Sequence, residues 1–190
     1  MKLLTLADLQ AVSTSKLYDL GVVAAVFDAT YGSLKAIYCR FQDALTVVGA
    51  PVYPDIAAGW KTSFIVDEDE NESGVIGQEF CIGVALSAAA VATAFYGWVL
   101  SAGICPLALT TDGAVAAAGT LIGSTTDGTW NSVAETVSQA VAESGSASYT
   151  ILNVPEGKSV GLALAADTST TLAAGDAQIR SILAGLPETL

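Results

Sequence analysis

The chain contains no histidine, and this absence excludes several classes of enzyme and metal site. Histidine is the commonest general base and the commonest metal ligand at neutral pH. Ser–His triads, Cys–His dyads and zinc sites with imidazole ligands therefore cannot be built from this sequence. Cysteine is also scarce. Cys39, Cys81 and Cys105 are odd in number and far apart, so we expect buried thiols rather than a disulfide framework.

Basic residues are few as well. The 190 residues include 7 Lys and Arg against 19 Asp and Glu, which gives a formal net charge of -12. The basic side chains are scattered singly along the sequence, whereas a phosphate-binding surface needs them clustered. An acidic surface also repels anionic lipid headgroups. We therefore expect neither nucleic acid nor a membrane as the partner.

The acidic residues concentrate at 67–72, where five of six side chains are carboxylates. Closely spaced carboxylates can bind calcium, but this stretch lacks the alternating ligand pattern of calcium loops and the bidentate glutamate that follows it. A solvated hairpin tip is the better interpretation. The sequence thus predicts no metal and no other cofactor.

Charged side chains are missing altogether from Phe80 to Thr111. A membrane-spanning helix needs about 20 apolar residues, so the run is long enough to form one. Its composition favours buried strands instead, because glycines and a proline divide it into segments of strand length and no basic residue near either end sets an orientation. We predict strands in "CIGVALS", "YGWVLSAG" and "CPLALTT".

Short apolar segments alternate with turn residues along most of the chain. They predict one mainly β domain over residues 21–190, a sandwich or barrel of short antiparallel strands. "DATYG" is typical of a tight turn between two strands, and the two prolines of "GAPVYPDIAAGW" indicate a loop or an edge strand. Apolar residues recur at helical spacing over 131–146 and suggest a short helix or a long loop there. The stretches 80–100 and 158–183 share one order of residues, which suggests a repeated hairpin.

Residues 1–20 form the other unit of the predicted organisation. The spacing of Leu3, Leu6 and Leu9 predicts a short helix, and the segment is interpreted as this helix or as an arm that reaches a partner. The apolar stretch before Asp8 is too short for a signal peptide. We expect a chain that is made in the cytoplasm and is not processed.

The few aromatic residues, 7% of the chain, are the candidate contact residues. Tyr96 and Trp98 are two positions apart on a predicted strand and so point to one face. Packing in the core is the first interpretation of this pair, and an interface with another subunit or a partner is the alternative. Trp60 and Trp130, each beside a glycine-containing loop, are interface candidates on the same grounds.

No catalytic constellation emerges from the sequence. The best candidates for paired catalytic carboxylates are four aspartates in turn-forming contexts: Asp112, Asp127, Asp167 and Asp176. The "GKS" at 157–159 resembles the end of a Walker A motif, but position 152 is leucine where that motif needs glycine. We predict that the chain is not an enzyme.

Five segments follow one another along the chain: "LGVVAAVFDATYGSLKAIYCRF", "TVVGAPVY", "GVALSAAAVATAFYGWVLSAG", "TDGAVAAAGTLIGSTTDGTW" and "SVGLALAADTS". This succession resembles the head decoration, or cement, proteins of tailed bacteriophages, over about residues 20–183. The chain departs from that family at Ala29, where proline is expected, in the acidic residues 67–72, and in its first twenty residues.

The resemblance implies a structural protein of the phage virion that binds the outer surface of the major capsid protein lattice and stabilises it. An acidic protein is poorly placed against packaged DNA, which favours the outside of the shell. We expect a homo-oligomer, a trimer at capsid three-fold positions, with a dimer at two-fold positions as the alternative. The alternative function is a tail or surface module that binds a receptor or glycan, with Trp60, Tyr53 and Trp130 as a stacking platform.

Overall fold

The computed structural model describes residues 4–42, 48–55, 59–60, 64–67, 81–87, 95–111, 115, 118–126, 129–132, 136–139, 149–152, 159–167 and 169–180. The chain is mostly β-structure with one small N-terminal helix. The predicted fold class, a mainly β sandwich or barrel, is confirmed.

Helix α1 comes first in the described secondary structure, and strands β1 to β14 follow it. Helix α1 spans Leu6–Leu9, and the strands are β1 Val23–Asp28, β2 Gly32–Phe41, β3 Pro51–Pro54, β4 Ile65–Asp67, β5 Gly83–Ala85, β6 Phe95–Ile104, β7 Leu109–Thr110, β8 Leu121–Thr126, β9 Thr129–Ser132, β10 Thr136–Gln139, β11 Tyr149–Leu152, β12 Ser159–Ala163, β13 Thr171–Leu172 and β14 Ala177–Arg180.

Helix α1 forms where the leucine spacing predicts it. The Thr5 side chain accepts a hydrogen bond from the Asp8 backbone N–H, and the Asp8 carboxylate accepts one from the Thr5 N–H at 2.9 Å. This capping box satisfies backbone donors that the start of a helix otherwise leaves unpaired. Leu9 anchors the helix, because its side chain is fully buried in the core.

The residues that follow the helix lie along the β-structure. Ser13 and Tyr96 exchange backbone hydrogen bonds of 3.0 and 2.8 Å. The Leu17 N–H donates to the Tyr38 hydroxyl at 3.1 Å. The described part of residues 1–20, for which a helix or a partner-binding arm is predicted, therefore covers its own β-domain.

Strands β1 and β2 form the hairpin that "DATYG" predicts. They pair antiparallel from Val23 opposite Ile37 to Asp28 opposite Gly32. In the turn, one Asp28 carboxylate oxygen accepts hydrogen bonds from the N–H groups of Thr30 at 2.8 Å and Tyr31 at 3.1 Å. The aspartate thus stabilises the reversal through its side chain, as aspartates in tight turns commonly do.

Strands β2 and β6 are the two longest of the described strands, and they are shared by the two parts of the β-structure. They pair antiparallel from Phe41 opposite Phe95 to Lys35 opposite Ala102. At one end of this pair, three short strands complete a ring, in which β2 pairs with β4, β4 with β3, β3 with β5, and β5 with β6. Every strand of the ring has a partner on both sides, so these five strands form a small closed barrel. Strands β2 and β4 are parallel, which the prediction of antiparallel strands did not include.

At their other end the same two strands belong to an open antiparallel sheet, in the order β1-β2-β6-β14-β12-β8-β9. A β-bulge marks the transition, since Lys35 lies opposite Ala102 and Ala36 opposite Leu100, which leaves Ser101 as the extra residue. The Ser101 hydroxyl donates to the Lys35 carbonyl at 3.2 Å. A bulge bends its strand and increases the local twist, which helps β6 continue from the barrel into the sheet.

Two cores lie on opposite faces of β2 and β6, because successive side chains of a strand point to opposite faces. The barrel encloses the smaller core, where the rings of Phe41 and Phe95 stack with 4.7 Å between their centroids. The larger core contains Tyr38 and Trp98 on the other face, and Leu9 and the C-terminal strands cover it. The long strands are therefore buried on both faces along the barrel, which explains why they need no charge in "YGWVLSAG".

The structure confirms several strand predictions in the uncharged run and in the C-terminal half. Strands β5 and β7 lie within "CIGVALS" and "CPLALTT", and β6 extends one residue beyond "YGWVLSAG" at each end. The two stretches of the suggested repeat each supply an antiparallel pair, β5 with β6 and β12 with β14, and β6 pairs with β14 so that the two pairs lie side by side in the sheet.

Two local predictions are wrong. Strand β3 is not a loop or an edge strand, because it pairs with β4 on one side and β5 on the other. Its prolines occupy its first and last positions, where the missing N–H costs the ladder least. The helix suggested within 131–146 is absent from the described residues, in which Thr136–Gln139 is strand β10, paired with β11. The acidic run lies outside the described residues beyond Asp67.

Candidate interaction surface

Tyr96 and Trp98 point to the same face of β6, as the sequence predicts. Trp98 is only 2% exposed, and its ring packs against Tyr38 and Tyr18 with centroid separations of 5.0 and 5.3 Å. Tyr96 is half-buried and stacks on Tyr38 at 6.3 Å. Core packing is therefore the role of Trp98, which leaves its side chain no surface to offer a partner.

Trp130 is also removed from the set of interface candidates, because its side chain is fully buried. Its indole N–H donates to the Gly49 carbonyl at 2.7 Å, which ties β9 to the residues before β3. Trp60 is half-buried, packs edge-on against Phe64 at 5.0 Å and contacts the barrel core. Of the four aromatic candidates, Trp60 and Tyr96 keep exposed surface, and they pack against different cores.

The stacking platform predicted for glycan binding does not form. Tyr53 is 1% exposed and Trp130 is fully buried, so neither ring can lie beside Trp60 on the surface. A ring must present one face to solvent to stack on a sugar. These three aromatic residues therefore give no support to the alternative function.

Of the four aspartates considered for catalysis, the structure describes Asp167 and Asp176. Asp176 lies in the bend before β14, where its backbone N–H donates to the Ala173 carbonyl at 3.0 Å. The Asp167 carboxylate accepts a hydrogen bond from the Ser169 N–H at 2.7 Å. Asp112 and Asp127 lie outside the described residues. Ser159 of the "GKS" begins strand β12, whereas a Walker A motif leads into a helix. Among the described residues, no group of three or more Cys, Asp or Glu side chains could hold a metal ion.

The three cysteines are buried thiols, as the sequence predicts. Burial raises the pKa of the Cys39 thiol far above its ordinary value. Burial also raises the pKa of Cys105 to about 12, against the opposing effect of a backbone hydrogen bond at Leu107. A thiol reacts through its thiolate, so these side chains are inert in the folded protein.

An exposed sheet surface lies where the open sheet extends beyond the barrel. Val23 and Ile37 pair with each other and belong to the barrel core. Alternate residues farther along the same strands share that face, but no barrel strand covers them. We call this surface the open face; its members are Ala25 and Phe27 of β1, Ser33 and Lys35 of β2, Ala102 and Ile104 of β6, Leu162 of β12, and Gln178 and Arg180 of β14.

Every member of the open face keeps exposed surface, and Phe27 is the extreme case with 79% of its side chain exposed. Five of the nine side chains are apolar, and none is acidic. Lys35 and Arg180 both lie opposite Ala102, one on each side, which places their Cα atoms about 10 Å apart on the same face of the sheet. The open face is thus an apolar and basic surface on a chain whose formal net charge is -12.

Sequence reasoning did not find the open face. Its members come from the hairpin of β1 and β2 and from three strands more than 50 residues farther along the sequence, and only the pairing register brings them together. Strand β1 is apolar from Val23 to Phe27 and polar only at its last residue, Asp28, so the alternation that identifies a solvent-facing side is absent. The one usable signal was Lys35, a charged residue between the apolar Leu34 and Ala36.

Within the described residues, no helix has the length and apolar composition needed to cross a bilayer. Comparisons of the chain with protein-family models, with curated proteins and with solved structures find no match.

Proposed function

We propose that this chain is a non-enzymatic structural protein of a phage virion, and that its open face binds the outer surface of the major capsid protein lattice and stabilises it. The observation that carries the proposal is the open face, an exposed apolar and basic sheet surface on an acidic molecule. The resemblance of the sequence to phage head decoration proteins is the reason for proposing a phage capsid as the partner of this face.

The charge distribution favours one orientation on such a lattice. The open face carries two of the chain's 7 basic residues and none of its 19 acidic residues. A partner surface with carboxylates beside apolar side chains complements it, since opposite charges steer the encounter and apolar contact supplies affinity. The acidic remainder then faces solvent and keeps particles apart.

The architecture suits a protein that binds without changing shape. A closed barrel and an open sheet share the two long strands β2 and β6, so the open face is an extension of a packed core. Because the backbone of the face is held in place before contact, binding loses little backbone conformational entropy. Repetition over a lattice then multiplies modest individual contacts.

Binding to capsid particles that lack this chain tests the proposal. We expect Arg180→Glu to weaken binding about tenfold or more, because it reverses one of the two positive charges of the open face. Lys16→Glu is the matched control. It makes the same charge change at an exposed residue of the N-terminal segment, where Lys16 pairs with Asp19 at 3.3 Å.

Co-sedimentation with the particles measures the bound fraction, and circular dichroism verifies that both variants fold. Equal binding by both variants and the unmodified chain would remove the open face from the proposal. Absence of binding by the unmodified chain would contradict the capsid role itself.

A further inference from the structure

Strand β1 is an edge strand of the open sheet and pairs with β2 alone among the described strands. The Tyr38 N–H donates to the Val22 carbonyl at 3.0 Å, which shows that the peptide groups of even-numbered residues face β2. Peptide groups alternate in direction along an antiparallel strand. Those of Val23, Ala25 and Phe27 therefore point away from the sheet.

Residues 23–27 of this edge carry none of the features that protect edge strands from pairing, and the carboxylate of Asp28, the last residue of β1, is held in the turn by the N–H groups of Thr30 and Tyr31. Such edges usually contain charged residues, proline or a bulge. Residues Val23 to Phe27 include neither charge nor proline, and their register with β2 is regular. The opposite edge of the sheet differs, because Trp130 of β9 forms a further bridge with Thr111.

We propose that β1 pairs antiparallel with β1 of a second copy of this chain, across a two-fold axis at Ala25. In this register Ala25 lies opposite Ala25 of the second copy, and Val23 lies opposite Phe27. All three outward-facing peptide units of each strand then find partners, which allows about six backbone hydrogen bonds.

A second copy fits this edge on grounds of both charge and shape. Two chains of formal charge -12 repel each other, so an uncharged strand is a favourable place for them to meet. The small alanine at the axis permits close approach of the two backbones. Phe27, 79% exposed in the single chain, packs against the exposed Ala25 of the other copy.

The pairing also joins the two open faces. Directly opposite residues of an antiparallel pair lie on the same side of the sheet, so Phe27 and Arg180 of both copies face one way. The dimer thus presents a doubled apolar and basic surface. The inference itself rests on the edge of β1 alone and holds whether or not the chain binds a capsid.

Engineered cysteines test both the pairing and its register. Residues directly opposite in a hydrogen-bonded pair have Cα atoms about 5.5 Å apart, within the range that a disulfide spans. We therefore expect Ala25→Cys to give a covalent dimer under mild oxidation. Phe27→Cys is the matched control, since the two copies of position 27 lie about 14 Å apart along the strands and cannot be bridged.

The native thiols are buried and do not compete, so the unmodified chain provides the background. Sedimentation equilibrium of the unmodified chain must also show twice the chain mass of 19.2 kDa. A monomeric or trimeric mass would overturn the proposal. A dimer in which Ala25→Cys does not cross-link, or in which Phe27→Cys cross-links instead, would overturn this edge or this register.

A charge-pair experiment tests the two-fold axis. Ala25→Glu places two carboxylates opposite each other, and we expect this variant to be monomeric. Ala25→Lys is expected to be monomeric for the same reason, whereas a mixture of the two variants must form a heterodimer. Failure of the mixture to associate, with both variants folded, would contradict the pairing of position 25 with itself.

Discussion

Cys39 and Cys105 carry thiols that the fold keeps neutral. Both side chains are fully buried, and burial raises the pKa of each above the value of about 8.5 that the unfolded chain shows. The folded state therefore holds these protons more tightly than the unfolded state does. The stability that this difference contributes is complete below about pH 8.5 and is lost as the pH rises toward the folded-state values.

We predict that the free energy of unfolding falls with pH above about pH 9, by about 1.4 kcal/mol per pH unit for each of the two thiols. The double variant Cys39→Ala/Cys105→Ala has a lower free energy of unfolding from the start, because it leaves small cavities. Between pH 9 and pH 10, however, its free energy of unfolding must fall less than that of the unmodified chain. Urea denaturation of both proteins at a series of pH values, under reducing conditions, measures the slopes. Parallel slopes would show that these thiols do not titrate on unfolding.

At the scale of elements, the join between β5 and β6 depends on one glycine. A Cβ atom at Gly83 would overlap the backbone oxygen of Leu100. Leu100 belongs to β6, and the pairing of β5 with β6 is one of those that close the barrel. Backbone atoms cannot move aside as the end of a side chain can. Gly83 is thus required by the close approach of the two strands.

We predict that Gly83→Ala lowers the free energy of unfolding by about 3 kcal/mol or more, through this steric clash. Gly119→Ala is the matched control. It introduces the same methyl group at a position with φ +86, where no atom lies within 4 Å, so it costs about 1 kcal/mol of backbone strain. Thermal or denaturant unfolding compares the two. An equal decrease in the free energy of unfolding for Gly83→Ala and Gly119→Ala would mean that β5 does not lie against β6 as described.

The sequence predicted most strands but not all of their neighbours. The hairpin of β1 and β2 and the strands of the uncharged run were identified because turn residues and apolar segments are local signals. The two prolines of strand β3 predict a loop or an edge strand. Nothing in the local sequence indicates that β4 and β5 pair on either side of it. Within 131–146 the spacing of apolar residues suggests a helix, but Thr136–Gln139 forms strand β10, because pairing with β11 overrides a weak local propensity.

At the scale of the whole molecule, the candidate surface could not have been read from the sequence. Lys35 and Arg180 are 145 positions apart, and they become neighbours of Ala102 only through the pairing of β2, β6 and β14. Two of the aromatic residues that the sequence indicates as interface candidates are buried instead. Trp98 and Trp130 are the largest buried side chains of the chain's described core, where their size fills volume.

The same register relates the two proposals to each other. In the first proposal the open face supplies the contact with a lattice, and in the second the edge of β1 supplies the contact between copies. Each uses a different part of the open sheet, the side chains of one face and the peptide groups of one edge. Arg180→Glu and Ala25→Glu therefore separate them, because Arg180 lies three strands away from the edge.

The central claim is that this chain is a structural component of the capsid surface, and its copy number in the virion tests that claim most directly. If a phage encodes the chain, as the proposal requires, quantitative mass spectrometry of its purified virions gives the ratio of the chain to the major capsid protein. We predict a simple lattice ratio, which corresponds to copies on the order of hundreds per particle. A handful of copies would place the protein on the tail or at a vertex and favour a receptor-binding role, and its absence from the virion would contradict the proposed function.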